Sequence, residues 1–579
     1  MKVKYIWLIL NCLIVVSLLI ASCGGGTEDK EKATGGDEPQ YGGVLTIINQ
    51  DYGSDDPADA LNATNTQCSY MNETLLICNW TWTSDQCGFY GVEMDSISDP
   101  EKWLVGNLAE SFEIVDEQTV RFNIRKGVKW NAGLDEAREL VGDRELTAKD
   151  VEWYFSYIMT APKQQGRWGA IEYVKAIDDY TIEAKSTVPD IFLVSELAAS
   201  AYTYIFCPDV YEEYGNFLDW KNNVGTGPFI RTDLTPGSSA TYKKNPDYWN
   251  EDEKNPGNQI PYVDEVKELF LTDVATELAA FRTGKIDQLY GSGMNRHHLK
   301  DLLATNPDTG VAKFITGNSY WSLRGDIEPF NNLLVRKAMN MAINRQEILD
   351  DFYEGEGSMW NEPYPPIYKD IYMPFDTLPE DIKEIYSYNP EGAKELLAEA
   401  GYPNGFKTEL HYYASAGSDL NEKNALIASY LAAVGIDVEI NLVDSATNRS
   451  MRYGFSYPAI YGDGMGVNEP EHFYSVWIKS DAPWNRNRVN DPYVDETIAK
   501  ALTMFDAKAR RALYRELDYY YLRNCLMGIA PVNGYSYTVW QPWMKSYNGQ
   551  RCLVFLGSGT VMARVWLDLD MKEEMTGSR

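Results

Sequence analysis

Residues 261–289 read "PYVDEVKELFLTDVATELAAFRTGKIDQL", and their periodicity changes twice. The first part is a short β-type run. From Glu277 to Arg282 the spacing is helical, Gly284 supplies the stop, and the apolar pattern resumes as a second strand. Strand, helix, glycine, strand is the unit of an α/β layer.

The same alternation recurs downstream. Residues 331–349, "NNLLVRKAMNMAINRQEIL", place Val335, Ala338, Met339, Ala342 and Ile343 on one helical face. Residues 389–406, "NPEGAKELLAEAGYPNGF", form a helix capped by Asn389, with Pro390 at its first position and Gly401 at its end. "KTELHYY" (407–413) and "GIDVEINLV" (435–443) are strands flanking the helix "EKNALIASYLAAV" (422–434). Upstream, "YGGVLTII" (41–48) is a strand. In residues 108–130, "LAESFEIVDEQTVRFNIRKGVKW", Phe112 and Ile114 alternate with Glu113, and Val120, Phe122 and Ile124 alternate with polar residues. This predicts a hairpin turning at "VDEQ" with one buried face. A helix follows at "LTAKDVEWYFSYIM", where Thr147 is the cap and Asp150 lies three residues on.

A chain of 579 residues exceeds one ordinary core, so two or more lobes are expected. The net charge of -33 argues against a nucleic-acid partner and against anionic lipid surfaces. The one long apolar run, Tyr5 to Ala21, follows Lys2 and Lys4 and ends in small residues, as an export signal does. Its last residues, Ile20-Ala21-Ser22-Cys23, resemble the bacterial lipobox. That resemblance implies a signal over 1–22, lipidation of Cys23 and a membrane anchor. Residues 23–40, rich in Gly, Glu, Asp and Lys, cannot bury apolar surface and read as a flexible tether.

Six further cysteines, Cys68, Cys78, Cys87, Cys207, Cys525 and Cys552, would make three disulfides in an exported domain. Fifteen pairings are open, with Cys78–Cys87 favoured by proximity in sequence. Catalytic and cofactor motifs are missing. "VGTGPF" (224–229) lacks the GK[ST] of a phosphate loop and reads as a glycine-rich turn. The acidic loop after Ile48 lacks EF-hand spacing, the four histidines make no HExxH, and there is no GxSxG elbow. We therefore expect no enzyme, no metal site and no cofactor.

Taken together, "LAESFEIVDEQTVRFNIRKGVKWNAG", "LTAKDVEWYFSYI", "GTGPF", "NPDYWNED", "PFNNLLVRKAMNMAINR", "YNPEGAKELLAEAGYPNGF" and "PWMKSYNG" resemble the extracytoplasmic solute-binding proteins of ABC transporters, in the peptide/nickel-binding group. The likeness runs from about Tyr41 to the C-terminus. It implies a two-lobe periplasmic-binding-protein-like α/β fold with a hinge and an extra subdomain in the N-terminal lobe. Lobe I would take residues 41–75, 220–311 and 535–579, the extra subdomain 76–219, and lobe II 312–534. It also implies a monomer that captures a small solute, a peptide first and an oligosaccharide as the alternative, and that meets a permease and its ATPase. Peptide-binding members hold the ligand ammonium on an acid in a tract matching "YPAIYGDGMGVNEPEHFY" (457–474), which places that role on Asp463, with Tyr461 and Gly464 beside it. The alternative is that Asp463 is a turn residue before Gly464. Arg324 stands where the family commonly has Asn; it meets an anionic ligand group or pairs with Asp326. No Arg occurs in "HYYASAGSDLNEK" (411–423), where some dipeptide binders place one for the ligand carboxylate. Tyr52, Trp80, Trp321 and Tyr461 are the aromatic candidates for the cleft.

Overall fold

The computed structural model describes residues 38–49, 56–58, 67–81, 99–162, 168–200, 202–290, 294–315, 317–366, 368, 371–414, 419–466, 469–526, 528–530, 532–550 and 557–579. The export signal, nearly all of the tether, Cys23, Tyr52, Cys87 and Cys552 lie outside the described residues.

Two α/β lobes carry the architecture. The first is built on a seven-stranded sheet in the order Phe229–Thr235, Ser239–Lys244, Glu265–Leu269, Val44–Ile48, Gln288–Tyr290, Ser536–Trp540, Gly310–Phe314. The strand–helix–strand stretch at 261–289 is realised as Glu265–Leu269, Val274–Arg282 and Gln288–Tyr290, with Gly284 at φ +70° after the helix. Val44–Ile48 inserts between those two strands, parallel to both.

Asp287 is the knot of this lobe. It is 1% exposed and accepts hydrogen bonds from the Thr46 amide (2.7 Å) and from Trp543 Nε1 (2.7 Å). Lys572 Nζ lies 3.2 Å away as its cation. One carboxylate therefore joins the first strand, the middle of the chain and the C-terminal segment.

A four-stranded antiparallel sheet follows the first strand in sequence, ordered Ala109–Asp116, Thr119–Ile124, Thr181–Ser186, Ile171–Asp178. The helix Ala148–Thr160 buries Val151, Tyr154, Phe155 and Ile158. Its start is fixed by Asp150, whose carboxylate accepts from the Thr147 amide at 2.8 Å. The turn at "VGTGPF" has a packing reason for its glycines. A Cβ on Gly225 would lie 1.9 Å from the Met71 carbonyl oxygen, and the Gly227 amide donates to that oxygen at 2.7 Å.

The second lobe holds a four-stranded sheet ordered Gly317–Leu323, Ile460–Gly466, Phe406–Tyr412, Ile436–Leu442. Helices Leu333–Met341, Pro390–Glu399 and Leu420–Ala433 supply its core, which includes Val335, Leu397, Ile427 and Leu431. The chain passes between the two large sheets twice. Gly310–Phe314 runs into Gly317–Leu323, and the short strand Asn533–Gly534 runs into Ser536–Trp540.

The cysteine expectation is corrected for the four described positions. Cys68, Cys78, Cys207 and Cys525 are buried thiols outside any disulfide, the favoured Cys78–Cys87 pair included. The sulfurs occupy separate surroundings. Cys207 Sγ donates to Asp209 (3.3 Å), while Cys525 Sγ in the second lobe receives the Tyr386 hydroxyl at 3.9 Å.

Asp287→Ala takes the carboxylate from the buried Lys572 ammonium, which keeps its bond to the Val44 carbonyl at 3.0 Å, and removes the acceptor of two N–H groups. Loss of one partner of a buried pair costs about 3–5 kcal/mol, so urea unfolding should show a markedly lower midpoint; an unchanged midpoint contradicts the assignment. A second expectation concerns Glu362, which accepts from the Tyr320 and Tyr521 hydroxyls at 2.7 and 3.2 Å. Burial raises its carboxyl to about 7, offset in part by those two hydroxyls. The folded state thus holds the proton more tightly than the unfolded chain, and stability falls as pH rises from the unfolded value to about 7. Glu362→Gln should flatten that part of the stability–pH curve, and an unchanged slope would rule Glu362 out as its source.

Candidate functional site

A cavity of ≈ 80 Å³ opens in the second lobe close to both crossings. Its walls come from strands Gly317–Leu323 and Ile460–Gly466, the helix Leu420–Ala433, and Asn448 of the helix Ser445–Gly454. The two strands pair antiparallel, with Ser319 opposite Gly464, Tyr320 opposite Asp463 and Trp321 opposite Gly462. The glycines matter physically. A Cβ on Gly462 would come within 2.9 Å of the Tyr412 side chain, whereas one on Gly464 would meet nothing within 4 Å. Gly462 permits strand packing, and Gly464 leaves the space above the strand open.

Trp321 is 2% exposed, and its Nε1 donates to Asn424 Oδ1 at 2.9 Å. Ser319 donates its hydroxyl to Asn533 Oδ1 (2.9 Å) and accepts from Lys423 Nζ at 2.6 Å. The Ser319 amide also donates to Asn533 Oδ1, at 3.2 Å. Ser319 belongs to one crossing and Asn533 to the other, so one small network holds both crossings and reaches the cavity wall. Lys423 is 4% exposed, and burial brings its ammonium down to about 8.

The residues singled out by sequence fall in different places. Trp321 and Gly464 line the cavity. Asp463 stands on the same strand at the register position of Tyr320. Tyr461 is fully buried, stacked on Tyr457 at 4.9 Å, and its hydroxyl donates to Asn448 Oδ1 at 2.6 Å; it reaches the cavity through Asn448. Arg486, drawn below its ordinary range to about 9 by burial, lies over the Tyr461, Trp477 and Trp484 rings. Arg324 makes a two-pronged pair with Asp326, at 2.8 and 2.6 Å, which raises its already high affinity for the proton. Trp80 is 2% exposed in the first core, with Lys254 at 4.5 Å over its ring and Arg564 at 5.9 Å.

Sequence reasoning missed Ser319, Tyr413, Lys423, Asn424 and Asn448. For Lys423 a signal existed. It precedes Ile427 and Leu431 at intervals of four, which sets a lysine on the buried face of an otherwise apolar helical stripe.

The model of bacterial extracellular solute-binding proteins, family 5 middle, matches residues 104–486. Heme-binding protein A of Haemophilus influenzae is 26% identical over 436 residues, 71% of this chain and 75% of its own length. The periplasmic oligopeptide-binding protein OppA of Escherichia coli is 26% identical over 474 residues, 78% of this chain and 83% of its own. Among solved structures, the periplasmic binding protein DppA of Helicobacter pylori, in complex with the peptide STSA, is similar at TM-score 0.69 and 25% identity. That match covers 91% of this chain and 99% of the other. The family's members bind solutes for transport and are not enzymes. The matched span is well over half of the chain, and the protein belongs to the family 5 bacterial extracellular solute-binding proteins.

Proposed function

We propose that the protein is a lipid-anchored receptor outside the cytoplasm that captures peptides between two closing lobes and delivers them to an ABC importer. The observation that carries this reading is the cavity beside the two crossings, walled by Trp321, Gly464 and buried polar donors. A solute held there touches the elements that must move for the lobes to close, so its binding energy can shift the open–closed balance. The similarity to OppA and to a peptide-bound DppA supports the choice of peptide.

In this reading lobe I comprises 41–75, 220–311 and 535–579, the extra subdomain 76–219 and lobe II 312–534. The seven-stranded sheet, which draws strands from the beginning, middle and end of the chain, supports a lobe I of three segments, and its strand Gly310–Phe314 carries the middle segment on to residue 314. Cys23 carries the lipid, residues to Gln40 form the tether, and the protein works as a monomer facing a permease–ATPase complex. Asp463 pairs with the peptide's α-ammonium, because a desolvated ammonium needs a carboxylate partner.

An oligosaccharide is the second reading, favoured by Trp321 and Tyr413 together in the cavity wall. Mass spectrometry of solute released from the purified protein, followed by thermal-shift titration, separates the two. We expect peptides to raise the melting temperature and Asp463→Asn to abolish the rise for peptides with a free amine. An undiminished rise would remove Asp463 from the role. Response to an oligosaccharide or to heme, with none to peptides, would overturn the peptide assignment.

A further inference from the structure

We infer that Arg296 is a latch between the lobes: carried by the first lobe, seated on Phe352 and Tyr353 and paired with Asp419 of the second, it draws the two together before any solute arrives. The inference rests on the lobe-closure reading above and adds to it a contribution from the protein itself.

Arg296 is the first residue of the helix Arg296–Thr305. That helix belongs to the first lobe, since Leu299 and Leu302 pack with Leu289 and Val539 of the seven-stranded sheet. The Arg296 side chain reaches out of that lobe. Its guanidinium lies 5.1 Å from the Phe352 ring and 5.6 Å from the Tyr353 ring, and Nη1 meets Asp419 Oδ2 at 3.4 Å. Tyr353 is 3% exposed in the core of the second lobe. Only 12% of the Arg296 side chain is exposed, and its Nε is buried without a hydrogen bond. This cation is therefore held chiefly by rings and a carboxylate of the opposite lobe.

Asp419 is turned to the same contact. It stands at the N-cap of Leu420–Ala433, where an aspartate ordinarily accepts from an amide of the first turn. Its side chain makes no such bond and meets Arg296 instead.

Two further pairs repeat the polarity, with the cation in the first lobe and the acid in the second. Lys300, one turn beyond Arg296, lies 3.8 Å from Glu354, and Lys313 lies 2.7 Å from Glu356. Their mechanics differ. Glu356 also accepts from Tyr537, the cross-strand neighbour of Lys313, and it leads into Gly357–Ser358, which pairs with Asn533–Gly534 at a crossing. A contact at the crossings survives rotation about them. Arg296 and Asp419 belong to helices that contain no crossing, so the same rotation parts them. A part-buried, ring-stacked ion pair at that place opposes opening. The empty protein is thereby biased toward the near arrangement, and a smaller differential affinity of the solute suffices for closure.

Small-angle X-ray scattering from the intact, solute-free protein tests the latch. Arg296→Met keeps an apolar stem over the rings and removes the charge, while Asp419→Asn keeps a capping residue and removes the charge. Each should shift the empty protein to a larger radius of gyration than the wild type. The double variant should expand no further than the larger of the two singles, because both break one contact. Radii equal to the wild type refute the latch. Additive expansions also refute it, since the two residues then act apart, and so does an expansion accompanied by loss of near-ultraviolet circular dichroism, which reports lost packing. Should Arg296→Met not fold, the radius of Asp419→Asn alone decides. The closure reading fails separately: variants that are expanded when empty, beside a wild type that does not contract on saturation with a peptide shown to bind, leave the latch standing and remove capture by closure.

Discussion

The hydroxyl of Ser319 donates to Asn533 and accepts from Lys423, and much of the molecule is organised around that small chain. The polypeptide must pass between two sheets twice without tearing either core. It does so at neighbouring places, after Phe314 and after Gly534, and Ser319–Asn533 fastens the two passages to each other. Because the crossings lie side by side, relative motion of the lobes has a natural axis there. Lys423 extends the network to the cavity wall, and in the proposed reading this is how a captured solute acts on that axis.

Elsewhere the fold is held by buried polar knots set in apolar cores. Asp287 ties the two ends of the chain to the middle of the first lobe. In the second lobe Glu362 and Asp518 each accept from two tyrosine hydroxyls, and Glu471 pairs with Arg510 in full burial. Such groups add little net stability when complete, but each excludes arrangements in which it would be left alone. Tyr320 joins one of these knots to the cavity, since its hydroxyl is bound to Glu362 while the residue borders the site.

The sequence was most informative where local rules coincide with the tertiary answer. The strand–helix–strand unit at 261–289 and the capped helix at Pro390–Glu399 follow from period, cap and glycine stop, and the hairpin at 109–124 forms as expected, but only its second strand buries the alternating face: Phe112 is half-buried and Ile114 is exposed on the edge strand. Spacing could not reveal that Val44–Ile48 would slide between two later strands, because that depends on contacts more than 200 residues apart. Cysteine number suggested cross-links, yet the four described thiols are buried outside any disulfide, and Cys207 and Cys525 make hydrogen bonds to Asp209 and Tyr386. Of the residues singled out in sequence, Trp321 and Gly464 line the candidate cavity, while the Ser319–Asn533 partnership was not legible, since it exists only once the crossings are adjacent. Sequence leaves Arg324 open between an anionic ligand group and Asp326, and offers Trp80 as an aromatic candidate for the cleft. Asp326 engages Arg324, and two cations cover Trp80.

The proposed closure about the Ser319–Asn533 axis on solute capture is measurable by small-angle X-ray scattering. Scattering from the purified protein, stripped of solute and then saturated with a peptide shown to bind, should report a smaller radius of gyration in the bound state. An unchanged radius at proven saturation would contradict capture by lobe closure.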